Sequence, residues 1–488
     1  MNNEKVRVRM APSPTGPIHV GNLHTSLFNW LFARSHGGTF VLRMEDTDRE
    51  RSRREWEEVI YQEMRWLGLD WDEGPDIGGP FGPYRQMERL GIYEEYARRL
   101  LETGHAYHCY CTPEELEAER REAQLKGVAY LYSRRCRNLS EAERRRREAE
   151  GRRPVLRFAV PDGETVAFDD LIRGRIETPT DSISDFILVR SNGIPVYNFA
   201  VVIDDLTMNI THIIRGEGHI SNTPTQILIY QALRAPLPKI GHVGHVLGTD
   251  RAKLSKRNGD AFVGEYRERG YLSEALLNFM VLLGWTPMHG NEFITREEMI
   301  GEFDLSRVTK AAAVFDPAKL DWMNGHYIRQ RDLASLTELS LPFLQRAGLV
   351  GEEVGPEERG RIHEIVHLEQ ERLKTLADLP KLTDFFFKEV IEYDPAAVKK
   401  VLTPEARKLL GDAAPRLLGV EPWESARLEA EARALVAEKQ QTPQAVFQPI
   451  RVALTGRTVS PPLFETMALL GRERCAKRIR AVIEGGVN

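Results

Sequence analysis

Two short segments carry the side chains best suited to handling phosphate. The first is Pro12-Ser13-Pro14-Thr15-Gly16-Pro17-Ile18-His19-Val20-Gly21-Asn22, a proline- and glycine-rich turn that runs into a helical pattern. A helix N-terminus presents unpaired N–H groups and partial positive charge to an anion. Gly21 lets a ligand lie against the backbone, and His19 can donate to a phosphate oxygen. The second is Lys253-Leu254-Ser255-Lys256-Arg257, a basic loop between Gly248 and Gly259. Its lysines can neutralise charge that builds on a polyphosphate. Alone, the first reads equally as an ordinary turn, and a lone basic pentapeptide like the second is usually a solvated loop. Together they lie about 230 residues apart and bracket a sheet-forming region, where neither a GxGxxG fingerprint nor a GxxxxGK[ST] loop occurs.

The elements that must position them follow from hydrophobic periodicity. Val6, Val8 and Met10 alternate with Lys5, Arg7 and Arg9, which predicts a strand. Leu23, Leu27, Phe28, Leu31 and Phe32 recur at helical spacing. A second strand, Phe40 to Met44, ends in Glu45-Asp46-Thr47-Asp48, and Trp56 to Leu67 writes another helix. Strand, loop, helix, strand, helix is the pattern of a doubly wound parallel sheet, whose ligands sit beyond the carboxyl ends of its strands. The character changes after about Tyr84, with a helix over Leu90 to Leu100, cysteines, the arginine run Arg144 to Arg147 and a strand over Val155 to Val160. The run reads as a solvated helix face between glutamates. Strands of the first kind are predicted again at Phe186 to Val189 and Asn198 to Ile203, then at His212 to Arg215, with a helix over Gln226 to Leu233. Asp204 and Asp205 are expected to end a strand as capping acids, since nothing nearby supports a hydrolytic pair. Beyond about 325 the pattern is helical throughout.

At 488 residues the chain has room for about three or four domains. With 42% hydrophobic and 28% charged residues it is neither disordered nor membrane-embedded, and no apolar run reaches the roughly 18 residues of a spanning helix. The start has no apolar signal core, so a cytoplasmic location is expected. The net charge of −5 excludes a wholly basic nucleic-acid binder but not a local basic surface. Four cysteines make no disulfide scaffold, and the close pair Cys109 and Cys111 points to metal before disulfide. Cys475, alone in a helical context, reads as a small core residue.

Residues 12–22 resemble the "HIGH" signature of class I aminoacyl-tRNA synthetases, here His19-Val20-Gly21-Asn22, and residues 253–257 resemble the "KMSKS" loop, here KLSKR. Flanking segments resemble the bacterial glutamyl-tRNA synthetases: Arg9 to Gly16, Arg43-Met44-Glu45-Asp46-Thr47-Asp48, Pro195 to Ala200 and Ile214-Arg215-Gly216-Glu217. The resemblance covers the whole chain. The related glutaminyl enzymes end in β-barrels, and the glutamyl-queuosine paralogue stops near residue 300.

The resemblance implies an α/β fold: a Rossmann-like catalytic domain with a doubly wound parallel sheet (1–90 and 195–247), an α/β insertion binding the acceptor end (91–194), a stem-contact domain with the KLSKR loop (248–325) and an all-α anticodon-binding region (326–488). It implies a ligase that activates L-glutamate with ATP and transfers it to the terminal ribose of tRNA(Glu), with first attack by the 2′-hydroxyl. The other readings are an enzyme that charges both glutamate and glutamine tRNA, and an inactive tRNA-binding relative. The partners implied are glutamate, ATP with Mg²⁺ and tRNA(Glu), with no membrane and a monomeric chain.

By resemblance the catalytic residues are His19, Lys253 and Lys256. ATP is met by Thr15, Gly16, His19, Gly21, Asn22, Lys253, Leu254, Ser255, Lys256 and Arg257. Glutamate is met by Arg9, Ser13, Glu45, Tyr197 and Arg215. The chemistry agrees. The attacking carboxylate is already ionised at neutral pH, so positioning and charge stabilisation suffice without a general base. Arginine forks suit the two carboxylates of the substrate, and Glu45 suits its ammonium. Arg372 is implied in anticodon reading, where a planar fork can pair with and stack on a splayed base; its other role is a helix ion pair with Glu369. Cys109, Cys111, Tyr132 and Cys136 resemble the zinc element of some relatives. Tyrosine is an unusual ligand, and Asn138 stands where some relatives have histidine, so a metal-free thiol cluster is the other reading.

Overall fold

The computed structural model describes residues 5–252, 254 and 262–486. They form two compact units. One comprises residues 1–266 with 276–316, the other residues 267–275 with 317–488.

In the first unit, β1 (Arg7–Met10) lies parallel to β2 (Thr39–Leu42), with Arg7 opposite Thr39. Between them runs α1 (Val20–Ser35), whose Val20, Leu23, Phe28 and Leu31 are fully buried. A helix that is apolar on most sides is a core helix. After β2 comes the amphipathic α2 (Arg54–Leu67), stopped by Gly68 in the left-handed conformation that glycine adopts without strain. Next is α3 (Leu90–Glu102). Then β3 (Ala106–Cys109), β4 (Val155–Phe158) and β7 (Ile187–Val189) form an antiparallel sheet. It is accompanied by α4 (Pro113–Leu125) and α5 (Glu141–Ala149), each opened by a capping box. The arginine run lies on α5, which buries nothing, as a solvated face should. The antiparallel hairpin β5 (Thr165–Asp170) and β6 (Gly174–Pro179) joins β9 (Lys239–Val243) and β8 (His212–Gly216) through β5, and β5, β9 and β8 run parallel. Thr211 links β8 to β1: its N–H donates to Arg7 O at 3.0 Å and its Oγ1 accepts from Arg7 N at 2.8 Å. The sheet is therefore mixed, with a parallel centre.

One predicted element is wrong in kind. Asn198 to Ile203 forms no strand; it lies within the helix α6 (Tyr197–Thr207). Phe199 to Asp205 is buried continuously, packed with α7 (Thr223–Leu233), and a short unbroken apolar run carries no period that separates strand from helix. Asp204 and Asp205 consequently cap no strand. Both sit fully buried in the last turns of α6.

The second unit is helical, from Pro317–Gln330 to Arg472–Ile483. Its apolar core contains Phe385, Leu417, Leu435, Ile450, Met467 and Cys475. No helix among the described residues is long and apolar enough to cross a membrane.

Candidate active site

The carboxyl ends of β1 and β8, the turn before α1 and the start of α6 enclose a cavity of about 540 Å³. It is lined by all five residues assigned to glutamate, namely Arg9, Ser13, Glu45, Tyr197 and Arg215, and by Thr15, His19, Gly21 and Asn22 of the ATP set. Gly16 is not among its lining residues, and neither is Leu254, which is buried. Lys253, Ser255, Lys256 and Arg257 lie outside the described residues.

His19 is the N-cap of α1, its Nδ1 accepting the Gly21 N–H at 3.1 Å. That bond fixes the tautomer: the ring proton of the neutral imidazole sits on Nε2, as a donor of the kind phosphate oxygen accepts. Beside Gly21 the nearest atom to a hypothetical Cβ is His19 Nδ1 at 3.5 Å, so the space above its backbone is open.

Beneath the cavity lies a buried charge cluster that sequence reasoning missed. Asp205 takes Arg9 side-on, Oδ1 from Nε at 3.0 Å and Oδ2 from Nη2 at 3.2 Å, and also accepts Arg43 Nη1 at 2.7 Å. Arg43 donates to Glu45 at 3.2 Å and lies 3.6 Å from Asp204. Asp204 accepts from Arg89 Nε and Tyr93 Oη at 2.7 Å and from Gln86 at 2.8 Å. Burial alone would lower the Arg43 pKa, but Asp205, Asp204 and Glu45 raise it well above the ordinary value. Burial raises Glu45, with Arg43 opposing. Burial would also raise Asp205, but Arg9 and Arg43 hold it below the usual range. Three arginines (9, 43, 89) thus face three carboxylates (45, 204, 205), and the cluster is balanced.

Arg215 stands outside that balance. It is 5% exposed, and its bonded partners are neutral: His242 Nε2 at 3.2 Å from Nε and Thr223 Oγ1 at 2.8 Å from Nη2. Its Nη1 is buried without a partner. Burial lowers its pKa, with Tyr197 opposing and Arg9 adding to the drop. A buried cation without a bonded counter-ion is costly, and an anion in the cavity would offset that cost. His24, His219 and His245 also line the cavity. Burial pushes His24 down to about 4, so it is neutral. His245 is tied to Glu217, which accepts its backbone N–H at 2.7 Å, lies 2.5 Å from its Nδ1 and also pairs with Arg173.

The described residues hold one cluster of three or more metal-ligating side chains that converge on a point: Cys109, Cys111 and Cys136, with sulfurs within 4.8 Å of one another. Tyr132 Oη lies 3.3 Å from Cys109 Sγ and 3.4 Å from Cys111 Sγ. Hydrogen bonds from the Cys111 and Cys136 thiols, then Tyr132, hold Cys109 far below the usual thiol range. The Arg157 guanidinium, 4.1 Å over the Tyr132 ring, supports that negative charge. A sulfur-rich, tightly converging donor set fits zinc. Asn138 is exposed, and the oxygen that lies against the sulfurs is the Tyr132 phenol.

In the helical unit Arg372 follows α13 (Pro356–Glu369) and donates to Glu369 at 3.0 Å while remaining 31% exposed. Burial, then the Arg372 charge, lower the pKa of Arg451, which donates to the Pro461 carbonyl at 2.7 Å. Arg451 had no sequence signal, because nothing in its own segment marks it out.

A parallel-stranded core with this cavity at its strand ends is the architecture of a class I aminoacyl-tRNA synthetase. The family model described as tRNA synthetases class I (E and Q), catalytic domain, matches residues 5–322, and the one described as anticodon binding domain matches residues 335–483. Glutamate–tRNA ligases of Symbiobacterium thermophilum and Moorella thermoacetica are 59% and 49% identical over 97% of this chain, covering 99% and 97% of their own lengths. A crystal structure of a glutamate tRNA ligase from Elizabethkingia meningosepticum, in complex with its amino acid, superposes with a TM-score of 0.89 at 35% identity over 99% of both chains. The chain belongs to the bacterial glutamyl-tRNA synthetase family.

Proposed function

We infer that this chain is a glutamate–tRNA ligase. The α-carboxylate of L-glutamate attacks the ATP α-phosphorus and pyrophosphate leaves. A terminal ribose hydroxyl of tRNA(Glu) then attacks the acyl carbon and AMP leaves. The observation that carries the substrate is the charge balance. Glutamate has two carboxylates and one ammonium, a net −1 that matches Arg215, which among the described residues lining the cavity is the one guanidinium without a bonded carboxylate. Neutral glutamine would leave it buried and unmatched.

In this reading Arg215 and Arg9 share the carboxylates, Glu45 holds the ammonium, and Ser13 and Tyr197 contribute hydroxyls. Their common place around one cavity supports it. The ATP side is given to Thr15, Gly16, His19, Gly21 and Asn22 with the KLSKR loop, whose Lys253 and Lys256 neutralise charge developing on the phosphate. Mg²⁺ rides mainly on the ATP phosphates. Structural zinc, held by Cys109, Cys111, Cys136 and Tyr132, would brace the insertion. The domain limits, from the catalytic halves 1–90 and 195–247 to the anticodon region 326–488, belong to the same proposal, as do tRNA(Glu) as the partner, a monomeric chain and a cytoplasmic setting. Arg372 is assigned to reading the third anticodon base on the resemblance alone. The test is ATP–pyrophosphate exchange and charging with purified glutamate and glutamine tRNAs side by side. Exchange that requires glutamate and tRNA supports the assignment; no exchange with any tRNA refutes it.

A further inference from the structure

Three adjacent parallel strands bring their carboxyl ends together behind the cavity wall. His242 of β9 stands directly opposite Arg215 of β8, and Asp170, the last residue of β5, pairs with Ile240 of β9. The three side chains form one chain of contacts. Asp170 Oδ2 lies 2.6 Å from His242 Nδ1, and Arg215 Nε donates to His242 Nε2 at 3.2 Å. Asp170 Oδ1 is itself fixed by the backbone N–H groups of Ile172 at 2.9 Å and Arg173 at 2.8 Å. All three residues are at most 5% exposed. Asp170 and His242 are not used by the chemistry described above.

We propose that Asp170 and His242 are positioning residues that hold the Arg215 fork for the side-chain carboxylate of the substrate, and so set the preference for glutamate over glutamine. The proposal rests on the reading that Arg215 binds glutamate. An ionised carboxylate can only accept, so the imidazole proton must lie on Nδ1, facing Asp170. That leaves a lone pair on Nε2, which is what the Arg215 Nε–H requires. Burial keeps His242 neutral, since it lowers the ring pKa and Asp170 only partly opposes it. The imidazole therefore orients Arg215 without cancelling its charge. A carboxylate in its place would orient Arg215 but also compensate its charge, as Asp205 does for Arg9. With Nε bound by His242 and Nη2 by Thr223, one edge of the guanidinium is consumed. The end carrying the unpartnered Nη1 is left for a carboxylate.

The perturbation is Asp170→Asn. An amide that offers its oxygen to the Ile172 and Arg173 N–H groups turns its NH₂ toward His242 Nδ1. The imidazole proton then moves to Nε2, where it opposes the Arg215 Nε–H. In charging of tRNA(Glu), the KM for glutamate is expected to rise about 10- to 100-fold, the loss of one well-aimed charge-assisted bond. The kcat at saturating glutamate and the KM for ATP should stay within about threefold. The ratio of kcat/KM for glutamate to that for glutamine should fall by about tenfold or more. His242→Phe should act alike, while His242→Gln, whose amide oxygen can still accept from Arg215, should recover most of the loss. An unchanged glutamate KM and an unchanged ratio in folded Asp170→Asn and His242→Phe overturn the proposal. Arg215→Gln separates the two layers: if it leaves the glutamate KM unchanged, the reading of Arg215 itself fails. Wild-type protein gives a test independent of variant folding. Nitrogen chemical shifts should show a His242 protonated on Nδ1 and bare on Nε2 at pH 7, and the opposite tautomer overturns the proposal.

Discussion

Glu369 ends α13 with no exposed surface, and burial pushes its carboxyl up to about 7, with Arg372 and Arg457 pulling back only part of the rise. Folding thus favours its protonated form. The stability it contributes is present below the ordinary value of 4.5, falls as pH rises and is gone above about 7. At about 1.4 kcal/mol for each tenfold step, the rise from 4.5 to about 7 corresponds to roughly 3 kcal/mol of strain in the ionised, folded state. Glu369→Gln keeps the shape and removes the charge. The pairing with the part-exposed Arg372 that it removes is already contained in that net rise. The variant should therefore gain about 2–3 kcal/mol at pH 8 and almost nothing at pH 4.5. Hydrogen exchange of the full chain, followed on peptides covering α13, should read this as protection increased about 50-fold at pH 8. An equal gain at both pH values, or none at pH 8, would refute a buried, strained carboxylate. The same titration reaches Arg372: above pH 7 its Nη1 meets an ionised Glu369, and below it a neutral carboxyl oxygen that accepts more weakly.

Lys256→Ala is expected to slow adenylate formation about 10²–10³-fold with little change in glutamate binding; an unchanged activation rate removes Lys256 from the transition state. Protein purified without a histidine tag should carry about one zinc per chain, and less than about a tenth excludes a structural site, because such sites bind very tightly. Arg372→Gln should leave glutamate activation with tRNA(Glu) largely intact and raise glutamate loading of tRNA(Gln). Comparable charging of both tRNAs by the unaltered chain would show that Arg372 discriminates nothing here.

What could be read from the sequence was local. The turn before α1, the acidic end after β2 and the Cys-x-Cys pair announce themselves because strand, loop and helix are consecutive and their periods differ. Even there the reading failed where the period vanished: buried on all sides, Phe199 to Ile203 looks the same as strand or helix, and misplacing it misplaced Asp204 and Asp205. The partners of the site residues were illegible for a different reason. Asp205 reaches Arg9 across 196 residues and His242 meets Asp170 across 72, so neither pairing leaves a mark in any window of sequence. The resemblance could name Arg9 and Arg215 as two arginines of one pocket, but it made them equivalents. The structure separates them by their counter-ions: Arg9 is already answered by a carboxylate, and Arg215 is answered by an imidazole lone pair and a hydroxyl. Residue type alone makes both of them carboxylate binders. Only the fold decides which one still needs a carboxylate, and that difference is what would let one added negative charge on the substrate be read.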